Sequence, residues 1–375
     1  VRVLHFYKTY VPDSCGGVEQ VIYQLARGSA LLGHTVDVLS LSCSGPKGPS
    51  VFDNHTAHRA RLAFEIASTG FSFSVIRTFA ALAREADIIH YHFPWPFLDV
   101  VHFATQVSKP TVLTYHSDIV RQRTLLKLYR PLMMRLLGSV DQIVATSPNY
   151  LATSDVLSKF CQKARVIPIG LDRATYPEAP SERLADWRAQ IGDRFFLFVG
   201  ALRYYKGLHV LLDAIQGTEL PVVIVGSGPM EQELRKHSAR LNLPGVHFLG
   251  WLPDEDKVAL IRLCLAVVFP SHLRSEAFGI SLVEGAMFGK PLISSEIGTG
   301  TTFVNIHGET GLVVPPNDAD AFRRAMIYLA GNPIEAERMG QNAGLRYQGL
   351  FRAEQMVARY TALYHELWTA SAARR

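Results

Sequence analysis

Short apolar runs alternate with amphipathic stretches along almost the whole chain. In the first half, Val3–Tyr7, Val36–Leu41, Ile88–His92, Thr111–Tyr115, Gln142–Ser147 and Arg165–Ile169 read as buried strands. Between them, Val18–Leu32, Phe73–Ala86 and Thr124–Leu137 carry apolar residues at helical spacing. Strands of this kind separated by helices predict parallel sheets covered on both faces. Pro168-Ile169-Gly170-Leu171-Asp172 then leads into the charged stretch 173–193, which has the composition of an interdomain linker. The alternation restarts at Phe195–Val199 and continues through Val222–Val225, Val246–Leu249, Ala266–Phe269, Leu292–Ser294 and Gly311–Val314. Helices are predicted to open near Leu208, Met230, Asp254, Ile280 and Ala319, with a last one over 353–370.

This pattern predicts an α/β protein of two Rossmann-like, doubly wound parallel-sheet halves facing across a cleft. Residues 1–172 form the first half and 173–352 the second. Residues 353–375 form a C-terminal helix expected to pack back on the first half. A length of 375 residues suits two cores better than one. Ligands of such sheets sit at the carboxyl ends of strands, so loops that follow strands are where chemistry is sought.

Composition changes the picture only at its edges. With 48% hydrophobic and 19% charged residues, the chain is neither disordered nor of low complexity. No apolar run reaches the roughly 20 residues that span a bilayer, and Val1-Arg2-Val3-Leu4-His5 reads as a strand, not a signal peptide. Cys15, Cys43, Cys161 and Cys264 lack metal-type or disulfide spacing. No metal site is therefore expected, and a reducing, cytoplasmic setting is. The formal net charge of +5 resides in residues 1–172, the remainder being neutral. That excess fits either a solvated surface or an anionic partner such as a phosphate or a lipid surface, and nucleic acid is not expected.

The most informative segment runs from Ser271 to Ala286. Glu276 lies in a loop at a strand's end, Gly279 permits a tight backbone entry, and a helix opens at Ile280 with its free amides available to a phosphate. Glu284, the only charge in the run Ile280–Met287, requires hydrogen-bond donors, for which sugar hydroxyls are suited and a neighbouring cation is the alternative. A second loop, Gly200-Ala201-Leu202-Arg203-Tyr204-Tyr205-Lys206-Gly207, brings Lys206 and Arg203 to a strand end, where they can neutralise a leaving diphosphate. Gly16-Gly17 joins the first strand to the first helix and admits close approach of a ligand. No GxGxxG follows any strand, which argues against a nicotinamide dehydrogenase. His116 ends a strand in Thr114-Tyr115-His116, and His90 and His92 end another. Arg121, Arg123, Lys127, Arg130 and Arg135 stud an apolar helix around Pro131, which suits either a core-covering helix or one resting on an anionic membrane.

Together these segments resemble the retaining glycosyltransferases of family 4, also called group 1, which have the GT-B fold. The resemblance covers nearly the whole chain. It rests on Gly16-Gly17, His116, Val166-Ile167-Pro168-Ile169-Gly170-Leu171-Asp172, Lys206-Gly207, Gly226-Ser227-Gly228, Glu276 with Glu284, and Thr310-Gly311-Leu312-Val313-Val314-Pro315-Pro316. It implies sugar transfer from a nucleoside diphosphate with retained configuration, without a divalent metal or other cofactor. Glu276 and the amides of Phe278, Gly279 and Ile280 would contact sugar and phosphate. Glu284 would bind the ribose, Lys206 the diphosphate, and His116 the donor sugar. Gly16 and Gly17 would lie close to the diphosphate, with Gly226 and Leu249 flanking the nucleotide. The family usually has Arg where this chain has Ala201, so Arg203 is expected to supply the missing charge. His5-Phe6-Tyr7-Lys8-Thr9-Tyr10 and Glu296-Ile297-Gly298-Thr299-Gly300-Thr301 look most like bacterial O-polysaccharide mannosyl- and rhamnosyltransferases. That likeness implies a GDP-sugar donor, a lipid-linked glycan acceptor and peripheral contact with the inner face of the cytoplasmic membrane. A sugar-nucleotide epimerase of the same architecture, a UDP-sugar-using transferase on another acceptor and a non-catalytic nucleotide-sugar scaffold are the competing readings.

Overall fold

Two sheets organise the chain, each the centre of its own unit: Val1–Gly170 with Ala353–Arg375, and Leu171–Arg352. The computed structural model describes every residue except Cys15, Pro46, Lys47, Ala67, Ser68, Val120, Arg121, Gln122, Arg374 and Arg375, and the side chains of Arg123 and Thr124. The features expected at Cys15, Arg121 and the Arg123 side chain therefore lie outside the described residues.

In the first unit the strands are β1 (Arg2–Phe6), β2 (Thr35–Ser42), β3 (Ser50–Phe52), β4 (His55–Arg61), β5 (Phe64–Ile66), β6 (Thr69–Phe71), β7 (Ile88–Phe93), β8 (Thr111–Tyr115), β9 (Gln142–Ala145) and β10 (Ala164–Val166). Eight of them form one sheet in the order β10-β9-β8-β7-β1-β2-β4-β3. It is parallel except for β3, which runs antiparallel to β4, while β5 and β6 pair only with each other. Helices α1 (Gly17–Leu31), α2 (Phe73–Glu85), α3 (Pro96–Ala104), α4 (Arg123–Ser139) and α5 (Pro148–Thr153) connect the strands. Every residue of β7 and β8 is buried, as runs covered on both faces must be.

The second unit carries a six-stranded, wholly parallel sheet. Its strands are β11 (Phe196–Val199), β12 (Val222–Val225), β13 (Val246–Gly250), β14 (Ala266–Phe269), β15 (Leu292–Ser295) and β16 (Gly311–Val314), in the order β13-β12-β11-β14-β15-β16. Around it lie α6 (Ser181–Ile191), α7 (Leu208–Ile215), α8 (Glu231–Arg240), α9 (Asp254–Leu263), α10 (Ile280–Met287), α11 (Thr301–Val304), α12 (Ala319–Gly331) and α13 (Pro333–Leu350). The core is a layer of Phe196, Phe198, Leu211, Val222, Ile224, Val268 and Phe322, among others, all buried.

The chain leaves and re-enters the second unit at one place. The Leu171 amide donates to the Phe351 carbonyl (2.9 Å), and the Tyr347 hydroxyl donates to the Leu171 carbonyl (2.8 Å). The last helix, α14 (Ala353–Ala373), belongs to the first unit. Val357 packs so tightly on α1 that a Cβ at Gly28 would come within 2.5 Å of it.

Several elements differ from the sequence expectation. The stretch expected to be a linker contains α6, none of whose residues is buried. It is held by polar contacts, the Trp187 indole donating to Asp256 Oδ1 (2.8 Å) and Arg183 pairing with the same oxygen (3.3 Å), so no apolar stripe announces it. Strands β3 and β4, at and next to the sheet edge, and β5 and β6, outside that sheet, are short or polar, so no buried apolar run announces them. Pro131 sits inside α4 without ending it.

Each sheet reverses its winding once: between β1 and β7 in the first, between β11 and β14 in the second. Crevices at such points are where parallel sheets bind ligands.

Candidate active site

At the switch point of the second sheet the loops after β11 and β14 lie against each other, backbone to backbone. Gly207 is left-handed (φ 68°), and a Cβ there would come within 2.0 Å of the Pro270 carbonyl oxygen, so only glycine fits. Gly226, after β12, is under the same constraint from the Gly200 carbonyl, also at 2.0 Å. These contacts bring Lys206 and Glu276, seventy positions apart in the chain, into a 2.5 Å ion pair with both side chains nearly buried. Burial works against the Lys206 ammonium, but the Glu276 carboxylate outweighs it, and the lysine pKa lies above its ordinary value. The same ammonium stands 4.7 Å over the Phe269 ring.

Gly279 is left-handed (φ 92°, ψ 69°) and opens α10. The backbone amides of Phe278, Gly279, Ile280 and Ser281 make no hydrogen bond within the described chain. They form the donor-rich, positive end of a helix, a ready anion site. The Ser281 hydroxyl donates to the Val199 carbonyl (2.7 Å), fastening this helix start to the end of β11. Arg274 donates to the Gly298 carbonyl (2.8 Å) and the Gly300 amide to the Ala277 carbonyl (2.8 Å), bracing the loop from the β15 side.

Glu284, buried one turn further into α10, is met by the Tyr176 hydroxyl (3.0 Å) and the Lys257 ammonium (3.1 Å), both on Oε1. Oε2 carries no hydrogen bond from the described chain. Lys257 also pairs with Asp254 (2.8 Å) and lies over the Tyr176 ring (4.9 Å). Burial opposes its charge, and Glu284 and Asp254 raise its pKa in spite of that. Neither Tyr176 nor Lys257 was expected from the sequence. An isolated carboxylate in an apolar run signals that a donor exists, not where it comes from.

Arg203 is exposed and makes no side-chain hydrogen bond or ion pair among the described residues. It borders a cavity of about 280 Å³ with Tyr204, His209, Asp213 and His237, between α7 and α8. Its charge still reaches the pair, acting to lower the pKa of Lys206. Leu249 is half-buried on β13, the edge strand.

In the first unit Gly16 caps α1 in an extended conformation, and Gly17 is its first residue. The positive end of α1 already faces a carboxylate. Glu19 folds back so that a Cβ on Gly16 would meet its Oε2 at 2.5 Å, and its Oε1 accepts from the Ser14 hydroxyl (2.7 Å). His116, just past β8, is buried, with Nε2 3.0 Å from Nδ1 of His92. Burial pushes its pKa down to about 3, so the ring is neutral at pH 7. His5, His90 and His92 stand behind it, all fully buried. His5 was not anticipated, although the period-two His90-x-His92 on one strand face hinted at a cluster.

Residues 15–175 match the family described as Glycosyltransferase Family 4, and residues 182–346 the one described as Glycosyl transferases group 1. The D-rhamnosyltransferase WbpZ of Pseudomonas aeruginosa is 62% identical over 354 residues, covering 94% of this chain and 93% of that protein. The chain belongs to the group 1 glycosyltransferases. The O-antigen chain mannosyltransferase C of Escherichia coli is 51% identical to this glycosyltransferase, over 98% of this chain and 99% of the other. Two solved structures show the same fold. Sucrose-phosphate synthase from Thermosynechococcus elongatus superposes with a TM-score of 0.82 at 23% identity, covering 98% of this chain and 99% of that one. Anabaena HepE in complex with UDP and glucose gives 0.79 at 17% identity, covering 97% and 99%. The two-unit, parallel-sheet architecture of this glycosyltransferase is thus the GT-B fold.

Proposed function

We propose that this glycosyltransferase moves a hexose of the mannose or rhamnose type from a GDP-sugar to a lipid-linked glycan during assembly of bacterial O-polysaccharide, with retained configuration and no divalent metal. The observation that carries the donor side is the meeting of Lys206, Glu276 and the four unpaired amides of Phe278 to Ser281 at one switch point. A diphosphate needs cations and oriented N–H groups, and a sugar needs carboxylate acceptors for its hydroxyls. In this reading Lys206 and the amides take the diphosphate, and Glu276 holds the sugar. Glu284 binds the ribose through Oε2, and Gly226 and Leu249 flank the nucleotide. Gly16 and Gly17 approach the diphosphate, with Glu19 as the charge that limits how close. His116 takes a sugar hydroxyl as a neutral ring. Arg203 stands in for the cation absent at Ala201. The sugar and the setting are supported by the two bacterial relatives, a rhamnosyltransferase and an O-antigen mannosyltransferase.

The transfer is dissociative. The sugar–phosphate bond breaks to an oxocarbenium-like sugar, the leaving phosphate oxygen takes the acceptor hydroxyl's proton, and the new bond forms on the same face. A trapped glycosyl-enzyme adduct would contradict this course. No helix among the described residues is long and apolar enough to cross a membrane. Contact with a lipid-linked acceptor is assigned to α4, which exposes Leu125 and Leu128 beside Lys127 and Arg130.

The test is thermal stabilisation against a panel of GDP-, UDP- and ADP-sugars. A donor at 100 times its Kd adds about 2.7 kcal/mol. GDP-mannose or GDP-rhamnose should raise the midpoint most, and a larger rise with a UDP-sugar overturns the GDP assignment.

A further inference from the structure

His116 is the open end of a row of three histidines from three neighbouring strands. Its Nε2 lies 3.0 Å from Nδ1 of His92, and His92 Nε2 lies 3.0 Å from Nδ1 of His5. The rings are nearly coplanar along the row, tilted by 20° and 23°, with centroids 5.3 and 5.4 Å apart. Nitrogen lone pairs lie in the plane of an imidazole, so side-by-side rings of this kind point lone pair at N–H, the geometry of a hydrogen bond. The far nitrogen, His5 Nε2, is buried and has no partner among the described residues. His116 Nδ1 has no hydrogen bond to a described residue either, but it is not fully enclosed. The row therefore has one closed end and one open end, and it does not conduct protons through the unit.

His90 supports the row from its face. Its ring stacks on His92 (4.3 Å, 28°), and both its nitrogens are held by hydroxyls at 2.7 Å, Nδ1 by Tyr364 and Nε2 by Thr114. The Thr114 hydroxyl is in turn bonded to Tyr360 (2.7 Å). His5, His90 and His92 bring nitrogens within 4.8 Å of one another, close enough to suggest a three-histidine metal site. The stacking argues otherwise. The lone pairs of His90 and His92 lie in offset, near-parallel planes and do not converge, and an ion would have to break the contacts to Thr114 and between His5 and His92. Burial lowers the pKa of all three members of the row, to about 3 for His5 and His116, so each ring holds one proton on two nitrogens.

That restriction couples them. If His5 carries its proton on Nδ1, His92 must accept at Nε2 and carry its own on Nδ1, and His116 must do the same. If His116 carries its proton on Nε2, the order is reversed in all three. We propose that His5 and His92 are positioning residues for the transfer: the row holds a single proton order, so His116 offers Nδ1 to its sugar hydroxyl in one role only, donor or acceptor, and exchanges that role only when all three rings change together. This deepens the assignment of His116 to a sugar hydroxyl and rests on it. The catalytic benefit is orientation. A neutral ring free to choose its tautomer pays for that choice in each encounter, and a ring held in a row does not.

Two measurements on the full chain test this. With 15N-labelled histidine, two-bond 1H–15N correlation spectra at neutral pH report which nitrogen of each ring is protonated. The same tautomer at His5, His92 and His116 is expected, and a mixture among the three overturns the proposal, whatever happens to activity. In kinetics, His5→Phe keeps a ring of similar size and removes both nitrogens. It should lower kcat about fivefold, the worth of one neutral hydrogen bond, with little change in donor KM. His5→Asn, whose amide can occupy the place of Nδ1, should restore most of the loss. The effect should vanish in a His116→Ala background, and losses that multiply instead would show His5 acting independently of His116. Should His116→Ala alone leave turnover unchanged, the assignment of His116 to substrate fails and the positioning role with it, while the spectra still decide whether the row shares its protons.

Discussion

At the switch point of the second sheet, Lys206 and Glu276 meet as ions 2.5 Å apart; at that of the first, His5, His90 and His92 are buried as neutral rings. Both clusters sit at the switch point of a parallel sheet, the ion pair nearly buried and the histidines wholly so. The ionic one keeps its charge because each partner offsets the other's desolvation. The histidine one gives up its charge, and hydroxyls and ring nitrogens satisfy it instead, at every nitrogen but His5 Nε2. Under the proposed function the difference matches two tasks. A diphosphate carries negative charge that a retained cation meets, whereas a sugar hydroxyl asks for direction, which a neutral imidazole supplies without attracting ions.

Removing the cation should break the comparison most severely. Lys206→Ala leaves Glu276 without its partner, and under the proposed function kcat/KM in a sugar-transfer assay should fall about 10²–10³-fold, the cost of losing one electrostatic contact in a transition state. The Lys206→Ala/Glu276→Ala double variant should fall well short of the product of the two singles, because the residues act as a unit. A loss under tenfold for Lys206→Ala would remove it from the reaction.

Acid should break the other cluster. His5 and His116 titrate at about 3 when folded and near the ordinary 6.5 when unfolded. The unfolded chain thus binds more protons between those values. Stability is complete above pH 6.5 and is lost as pH falls toward 3, by about 1.4 kcal/mol per pH unit for each such ring. Urea midpoints measured from pH 7 to pH 5 should show this slope, and His116→Gln should make it shallower.

Glu284→Gln keeps the shape of the side chain and removes its charge. Donor affinity by calorimetry should weaken about 10- to 100-fold, the range for hydrogen bonds to a charged group. An unchanged Kd would mean that Lys257 and Tyr176 are the whole purpose of Glu284. The smallest effect is expected at Arg203, exposed and unpaired among the described residues: Arg203→Ala should cost about three- to fivefold in kcat, or about 0.6–1 kcal/mol. A change within twofold would show that nothing replaces the cation missing at Ala201.

Much of this was legible in the chain. Apolar runs between helices located both parallel sheets, and Gly279 followed by an apolar run placed the start of α10 at Ile280, where the structure has it. What escaped was every contact made between loops. Nothing local in Tyr176 or Lys257 indicates that they reach Glu284, since each meets it only after the chain has wound between distant strands. The pairing of Lys206 with Glu276 depends on Gly207 admitting the Pro270 carbonyl, a constraint visible only in three dimensions. The histidine row depends on strand register: His5 stands beside His90, and His92 beside Thr114, with His116 two residues further along the same strand end. Helix α6 escaped for a different reason, being anchored by Asp256 and not by an apolar face.

The junction at Leu171 and Phe351 makes the second unit an insertion within the first, entered and left through neighbouring backbone. During synthesis a domain folds once its residues have emerged. The unit that begins at residue 171 therefore has all its parts before the unit that begins at residue 1, which waits for α14. Tyr360 and Tyr364, whose hydroxyls hold Thr114 and His90, arrive within that last helix. A nascent chain stalled before α14 should already present a folded second unit while the histidine row of the first still lacks those supports, so the half of the enzyme made first is the half finished last.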